Sequence, residues 1–143
     1  FPADWSVAKW NGKKLGKKVE KLEKIALGAA EQSKRNLVPS ITLFEKKADF
    51  LAQLEQFDRI VVAYEESAKE GEAAALLQSL TGLEAGSKLL FIFGPEGGLS
   101  PAEIESFTVK GAILAGLGPR ILRAETAPLY ALSAVSVVTE LMN

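Results

Sequence analysis

The chain contains no histidine and no cysteine, and these two absences exclude whole classes of chemistry. There can be no Ser-His-Asp triad, no cysteine nucleophile and no zinc site built from the usual nitrogen and sulfur donors. Disulfides are excluded too, which fits a cytosolic protein. Acid–base work falls to carboxylates, Lys, Tyr, backbone or water. A magnesium site would need clustered carboxylates, and no acidic cluster has that spacing. No metal is expected, and an organic cofactor or none is the remaining choice. Long apolar runs are also scarce. The longest charge-free stretch near the C-terminus, residues 127–139, is too short to span a bilayer. The opening residues lack the basic start, apolar run and small-residue cleavage site of a secretory signal. A cytoplasmic location with no membrane partner is therefore expected.

What is present suits one folded domain. The 143 residues are 48% apolar and 24% charged, a balance that can bury a core and keep a wet surface. The net charge of −1 hides an uneven distribution. Residues 1–35 carry nine Lys or Arg against four Asp or Glu, and residues 36–143 carry eight against fourteen. A basic end on a nearly neutral protein suggests an anionic partner, nucleic acid first. A solvated Lys/Glu-rich helix face explains it equally well.

Along the chain, residues 5–10 alternate as a short strand would. Leu15, Val19, Leu22, Ile25, Ala26 and Ala29 then recur at helical spacing among lysines. They predict an amphipathic helix of about twenty residues ending near Arg35, before Pro39. Residues 41–44 read as a small strand and 47–54 as a short helix. Ile60, Val61, Val62 and Ala63 form an apolar run closed by Tyr64, Glu65 and Glu66, as in a buried parallel strand. A helix is expected over 71–80, with turns at Thr81-Gly82 and Gly86. Residues 89–93 form a second buried strand. Ser100, Pro101 and Glu103 then spell an N-cap, a first-turn proline and a capping box. Residues 113–115 form a third strand, and a last helix is expected over 126–141, with Pro128 tolerated in its first turn. Apolar strands alternating with helices imply an α/β domain whose sheet is mainly parallel and flanked by helices. The last helix is apolar nearly all round, so it must be covered on more than one side, by other layers or by another subunit.

Ligands of open α/β sheets sit beyond the carboxyl ends of the strands, and two unusual loops fall there. The first is Gly94, Pro95, Glu96, Gly97 and Gly98, between a buried strand and a capped helix. Its glycines permit positive φ and close approach of a ligand to backbone N–H and C=O groups. It lacks the Gly-Lys-Ser/Thr ending of a phosphate loop and does not match the dinucleotide fingerprint, so a nucleoside suits it better. A strand-to-helix turn also needs glycine for structural reasons alone. The second loop runs from Leu117 through Gly118, Pro119, Arg120, Ile121, Leu122, Arg123, Ala124 and Glu125 to Thr126. It brings two arginines and a glutamate to the start of the last helix; Glu125 stabilising the helix N-terminus beside solvated arginines is the plainer reading.

Together the segments GPEGGLSPAEI, LGPRILRAETAPLYAL and KLEKIALGAAEQSKRNLVP resemble the SPOUT superfamily of trefoil-knotted methyltransferases. More narrowly they resemble the bacterial family that makes 3-methyluridine in 16S ribosomal RNA. The resemblance runs from about residue 6 to the C-terminus. It implies a C-terminal knot, a homodimer, and S-adenosyl-L-methionine as cofactor. It implies that Gly94, Pro95, Glu96, Gly97 and Gly98 line the cofactor pocket, with Ala63, Tyr64 and Glu65 as a further wall. Leu117, Gly118, Ile121 and Leu122, with Thr126, would close over the cofactor. Arg120, Arg123 and Glu125 would be the catalytic groups, and Gln32, Arg35 and Arg120 would face the RNA. Residues 1–143 are expected to be the catalytic domain, without the family's N-terminal β-barrel RNA-binding domain or its opening strand and helix. Lys34 stands where the family commonly has Gly, and Trp5 where Arg is expected.

The implied reaction is methylation of a uridine N3 in 16S ribosomal RNA within the small subunit. The methyl group of the cofactor is already activated, so alignment and charge stabilisation are what the protein must supply. Arg123, with Arg120, would stabilise the anion left when the base loses its proton; arginine stays protonated, so Glu125 or water is the candidate base. A ribose 2′-O-methyltransferase of the same superfamily is the nearest alternative. Such enzymes usually carry a Ser-Leu-Asn-type segment where residues 122–126 stand. A non-catalytic RNA-binding or ribosome-assembly module is the alternative of another class, and the loop sequences argue against a dinucleotide-dependent oxidoreductase. Trp5 and Trp10 could stack on unpaired bases, though core or interface packing is the commoner fate of Trp.

Overall fold

The computed structural model describes residues 1–7, 12–65 and 74–142. The chain divides into two units, one of residues 1–2 and 7–50, the other of residues 3–6 and 51–143.

The first unit is dominated by helix α1, Gly12–Gln32. Leu15, Val19, Leu22 and Ala26 are half-buried along one stripe and Ala30 is buried, while Ile25 and Ala29 are exposed. Four of the six predicted positions thus lie on the inward stripe, which continues through Ala30 and leaves Ile25 and Ala29 outside it. The helix ends three residues before Arg35. The Lys34 N–H donates to the Glu31 carbonyl at 3.1 Å and the Arg35 N–H to the Ala30 carbonyl at 2.9 Å. With Lys34 at φ 55°, this is a Schellman cap whose left-handed position carries a side chain. Such a residue costs about 1 kcal/mol that glycine avoids. Lys34→Gly is therefore expected to raise the melting temperature by roughly 4 °C; a thermal scan showing no rise would contradict the cap. The strand predicted over 41–44 does not form. Phe44 instead meets Phe50 edge-on at 5.6 Å, and Phe50 stacks on Phe1 at 4.3 Å, so aromatic packing holds this segment.

Helix α2, Lys47–Gln53, and a 3₁₀ turn, Leu54–Gln56, lead into the second unit. Its frame is a parallel sheet of β1, Arg59–Ala63; β2, Leu89–Ile92; and β3, Ile113–Ala115, in the order β2-β1-β3. Val62 pairs with Ile92 on one side and with Leu114 on the other. Central β1 buries three successive residues, Ile60, Val61 and Val62, as a strand covered on both faces must. Helix α3, Ala74–Leu80, follows β1. Arg59 at the start of β1 donates to the carbonyls of Ser79 and Thr81 at 2.7 and 2.9 Å, satisfying acceptors left over at the end of α3. Helix α4, Pro101–Val109, joins β2 to β3, and α5, Ala127–Ser136, ends the chain with a π-helical turn, Val137–Leu141.

Val61 and Ala115 form one core with Leu76 and Leu80 of α3, and Leu117, Ala134, Val135 and Val138 pack against it. Helices α3 and α5 therefore share a face of the sheet. The connection through α4 runs back across the sheet in the opposite direction, so right-handed crossovers send α4 to the other face. The α/β architecture with helices around a parallel sheet agrees with the sequence pattern. Of the strand predicted over 5–10, residues 8–10 lie outside the described residues and residues 5–7 are not strand. The helix predicted from 71 is observed from Ala74, residues 71–73 likewise lying outside the described set. Among the described residues no helix is long and apolar enough to cross a membrane.

Candidate functional site

All three strands end on the same side of the sheet, and each is followed by a segment singled out in the sequence. Residues 63–65 leave β1, 94–98 follow β2, and 116–126 follow β3. Neighbouring strands lie about 4.8 Å apart, so the outer two loops start roughly 10 Å from each other with 63–65 between them. That span matches a nucleoside. Because β1 and β2 send their following helices to opposite faces, their loops part and leave the crevice where ligands bind open α/β sheets. The Tyr64 N–H donates to the Ala115 carbonyl at 3.0 Å, tying the first segment to the base of the third.

The glycine turn is tightly wound. The Gly98 N–H donates to the Pro95 carbonyl at 2.8 Å, and Gly98 has φ +79°. A Cβ on Gly94 would lie 3.0 Å from the Gly98 carbonyl carbon and from Leu99 Cγ. A Cβ on Gly98 would meet nothing within 4 Å, so this side of the turn is open to a ligand. Beyond it the predicted capping box is complete. The Ser100 hydroxyl accepts from the Glu103 N–H at 3.2 Å, and Glu103 Oε2 accepts from the Ser100 N–H at 2.9 Å.

In the third segment Leu117 belongs to the core, whereas Arg120, Ile121, Arg123, Glu125 and Thr126 are exposed. Arg123 Nη1 is 3.8 Å from Glu125 Oε1, an open ion pair. The Arg123 carbonyl accepts from the N–H groups of Thr126 and Ala127 at 2.9 and 3.0 Å, which turns the chain into α5. Thr126 sits at the helix start without a side-chain cap. Gly118 has φ +81°, and a Cβ there would be 3.1 Å from the Tyr130 hydroxyl, so α5 itself holds this bend. Gln32 and Arg35 are exposed at the end of α1, in the other unit. Two surface depressions, one lined by Glu20, Glu23, Lys24 and Leu27 and one by Arg59, Ala75, Gln78, Ser79, Thr81 and Ile113, involve none of the three loops. Among the described residues no acidic group is arranged to hold a metal ion.

Residues 1–136 match the RNA methyltransferase domain family. The chain belongs to that family. Over all 143 residues it is 52% identical to ribosomal RNA small subunit methyltransferase E of Bacillus subtilis (strain 168), covering 100% of this chain and 56% of that protein. A crystal structure of a hypothetical protein superposes with a TM-score of 0.90 at 48% identity, covering 100% of this chain and 55% of that one. Ribosomal RNA small subunit methyltransferase E from Neisseria gonorrhoeae, bound to S-adenosyl methionine, is similar with a TM-score of 0.68 at 27% identity, over 86% of this chain and 48% of that one. The chain thus spans about half the length of these relatives.

Within this methyltransferase-family domain, two contacts at the site were beyond sequence reasoning. Tyr130 stands over Gly118 from one turn into α5. The segment 3–6 docks on the glycine turn and on the start of α4. The Asp4 N–H donates to Glu103 Oε1 at 3.0 Å, and the Ser100 hydroxyl donates to Asp4 Oδ2 at 2.5 Å. No spacing signal links residues 96 positions apart. Glu103, 1% exposed, thereby serves both the capping box and the docked segment. Glu103→Ala would leave the buried Ser100 N–H and the part-buried Asp4 N–H without this acceptor, at a cost of about 3 kcal/mol. The expected fall in melting temperature is roughly 10 °C; a loss no larger than that of an exposed cap would contradict the shared role.

Proposed function

We propose that residues 1–143 are the catalytic domain of an S-adenosylmethionine-dependent methyltransferase acting on N3 of a uridine in 16S ribosomal RNA of the small subunit. The carrying observation is the common origin of the 63–65, 94–98 and 116–126 segments at the carboxyl ends of three adjacent parallel strands. Membership of the RNA methyltransferase domain family and the likeness to small-subunit methyltransferase E support the same reading.

The residues fit such a cofactor. The open side of Gly98 admits a ligand against the backbone of the turn, and Leu117, Gly118, Ile121, Leu122 and Thr126 supply an apolar wall with a hydroxyl at its end. Gly94, Pro95, Glu96 and Gly97 complete the turn, and Ala63, Tyr64 and Glu65 form the floor between. When bound, the cofactor supplies a methyl group already activated by its sulfonium. Arg123, aided by Arg120, holds the negative charge that develops on the carbonyl oxygens flanking N3. Glu125, 3.8 Å from Arg123, or water takes the proton. Gln32 and Arg35 contact the RNA, and the lysines of α1 add sequence-independent attraction to phosphates.

The reading includes the family's C-terminal knot and homodimer, and a cytoplasmic site of action on assembling small subunits. The dimer is supported by α5 and the turn after it. Ala131 is fully buried on the inner side, but Leu129, Leu132 and Leu141 are 65%, 63% and 75% exposed on the outer one. An apolar helix face of this kind marks an association surface. Leu132→Glu is expected to convert a dimer to a monomer in light scattering and to abolish turnover; a wild-type protein that is monomeric at assay concentration would remove the dimer from the proposal.

The deciding experiment is methyl transfer by the intact protein to undermethylated small ribosomal subunits, with mass spectrometry of the released nucleosides. 3-Methyluridine is expected. A 2′-O-methylated nucleoside would overturn the assignment, and so would cofactor binding without any transfer.

A further inference from the structure

Trp5 occupies an unusual position. Its backbone lies on the glycine turn: a Cβ on Gly97 would be 3.2 Å from the Trp5 carbonyl oxygen and 3.3 Å from the Trp5 Cβ. The residue before it is tied to α4 through Glu103 and Ser100, and the residue after it closes a turn through the Ser6 N–H to the Ala3 carbonyl at 3.1 Å. The backbone around Trp5 is therefore held on both sides. Yet Trp5 is 50% exposed, whereas Trp side chains are normally highly buried. Core packing, the commoner fate of Trp, does not describe it.

We propose that Trp5 is a stacking platform for an unpaired base of the RNA substrate, fixed beside the glycine turn. This rests on the reading that residues 94–98 face the methyl donor. An aromatic face anchored at its backbone and open to solvent is the element on which single-stranded nucleic acid stacks, and any base satisfies it. Such platforms work alongside cationic groups that follow the phosphates. Arg120 and Arg123 are exposed on a loop leaving the same end of the sheet. In that reading the adenine of the donor is taken by residues 117–122, which leaves the indole for the substrate.

The test uses the intact protein with Trp5→Ala and Trp5→Phe, the donor affinity measured by calorimetry and the KM measured with undermethylated small subunits. Trp5→Ala is expected to raise the KM for RNA about tenfold or more with donor affinity unchanged, and Trp5→Phe to recover most of the loss. In a Trp10→Phe background, the fluorescence of Trp5 is expected to be quenched by a short single-stranded oligouridylate. An unaltered KM in Trp5→Ala, an equal loss of donor affinity, or absence of quenching would each overturn the platform. Failure of the wild-type protein to bind the donor would instead remove the underlying reading and the platform with it, so the two failures are distinguishable.

Discussion

Arg123→Ala is expected to lower turnover by about 10²–10³-fold while donor affinity stays within a factor of about two. The separation follows from where each part of the residue sits. Its carbonyl accepts two N–H groups at the start of α5, and alanine keeps both. The side chain is 86% exposed and its pairing with Glu125 is 3.8 Å long, so little stability depends on it. What the substitution removes, in the proposed reading, is a permanent cation at the mouth of the site. The barrier to methylating a uridine nitrogen lies largely in forming and holding the anion of the base, and a fixed positive charge beside its carbonyl oxygens lowers that barrier without touching the donor. Arg123→Lys keeps the charge but loses the planar fork, so an intermediate rate is expected. Single-turnover kinetics with calorimetry of donor binding reads both quantities. Parallel loss of rate and donor affinity would show that Arg123 belongs to the donor pocket.

The parts of this protein that were legible in its sequence are those governed by local rules. Three apolar runs became three parallel strands, and the central one is buried on both faces. Ser100, Pro101 and Glu103 formed the predicted capping box, since its bonds span only three residues. Positive φ at Gly98 and Gly118 fell in the loops that glycine had marked. What escaped was set by partners distant in sequence or by competition between local options. The inward stripe of α1 kept Leu15, Val19, Leu22 and Ala26 but took Ala30 in place of Ile25 and Ala29. Residues 41–44 had strand-like composition, but their Phe44 packs against Phe50 and they form no strand. Lys34 took a left-handed backbone that its residue type does not announce. The last helix ended in a π turn instead of continuing regularly to residue 141. Asp4 and Trp5 reached the glycine turn and the start of α4 across the whole chain, so this contact could be read only in three dimensions.

The glycine turn offers the other large effect, and two of its residues separate folding from ligand binding. At Gly98 a methyl group would meet nothing within 4 Å, so Gly98→Ala suffers only the left-handed backbone at φ +79°, a cost of about 1 kcal/mol. That same methyl group fills the open side of the turn. If the donor rests there on backbone N–H and C=O groups, losing two such hydrogen bonds weakens binding about a hundredfold. At Gly94 the added atom would sit 3.0 Å from the Gly98 carbonyl carbon and 3.1 Å from the Leu99 nitrogen. Those backbone atoms cannot retreat freely, because Leu99 and Ser100 are buried and the capping box fixes the next turn. Gly94→Ala is therefore expected to lower the melting temperature by more than Gly98→Ala and to lose donor binding as well. Calorimetry and thermal scans on the pair would read the difference. A Gly98→Ala protein that keeps wild-type donor affinity would mean that the ligand does not lie against this turn. The roles proposed for the loops on either side of it would then lose their common centre.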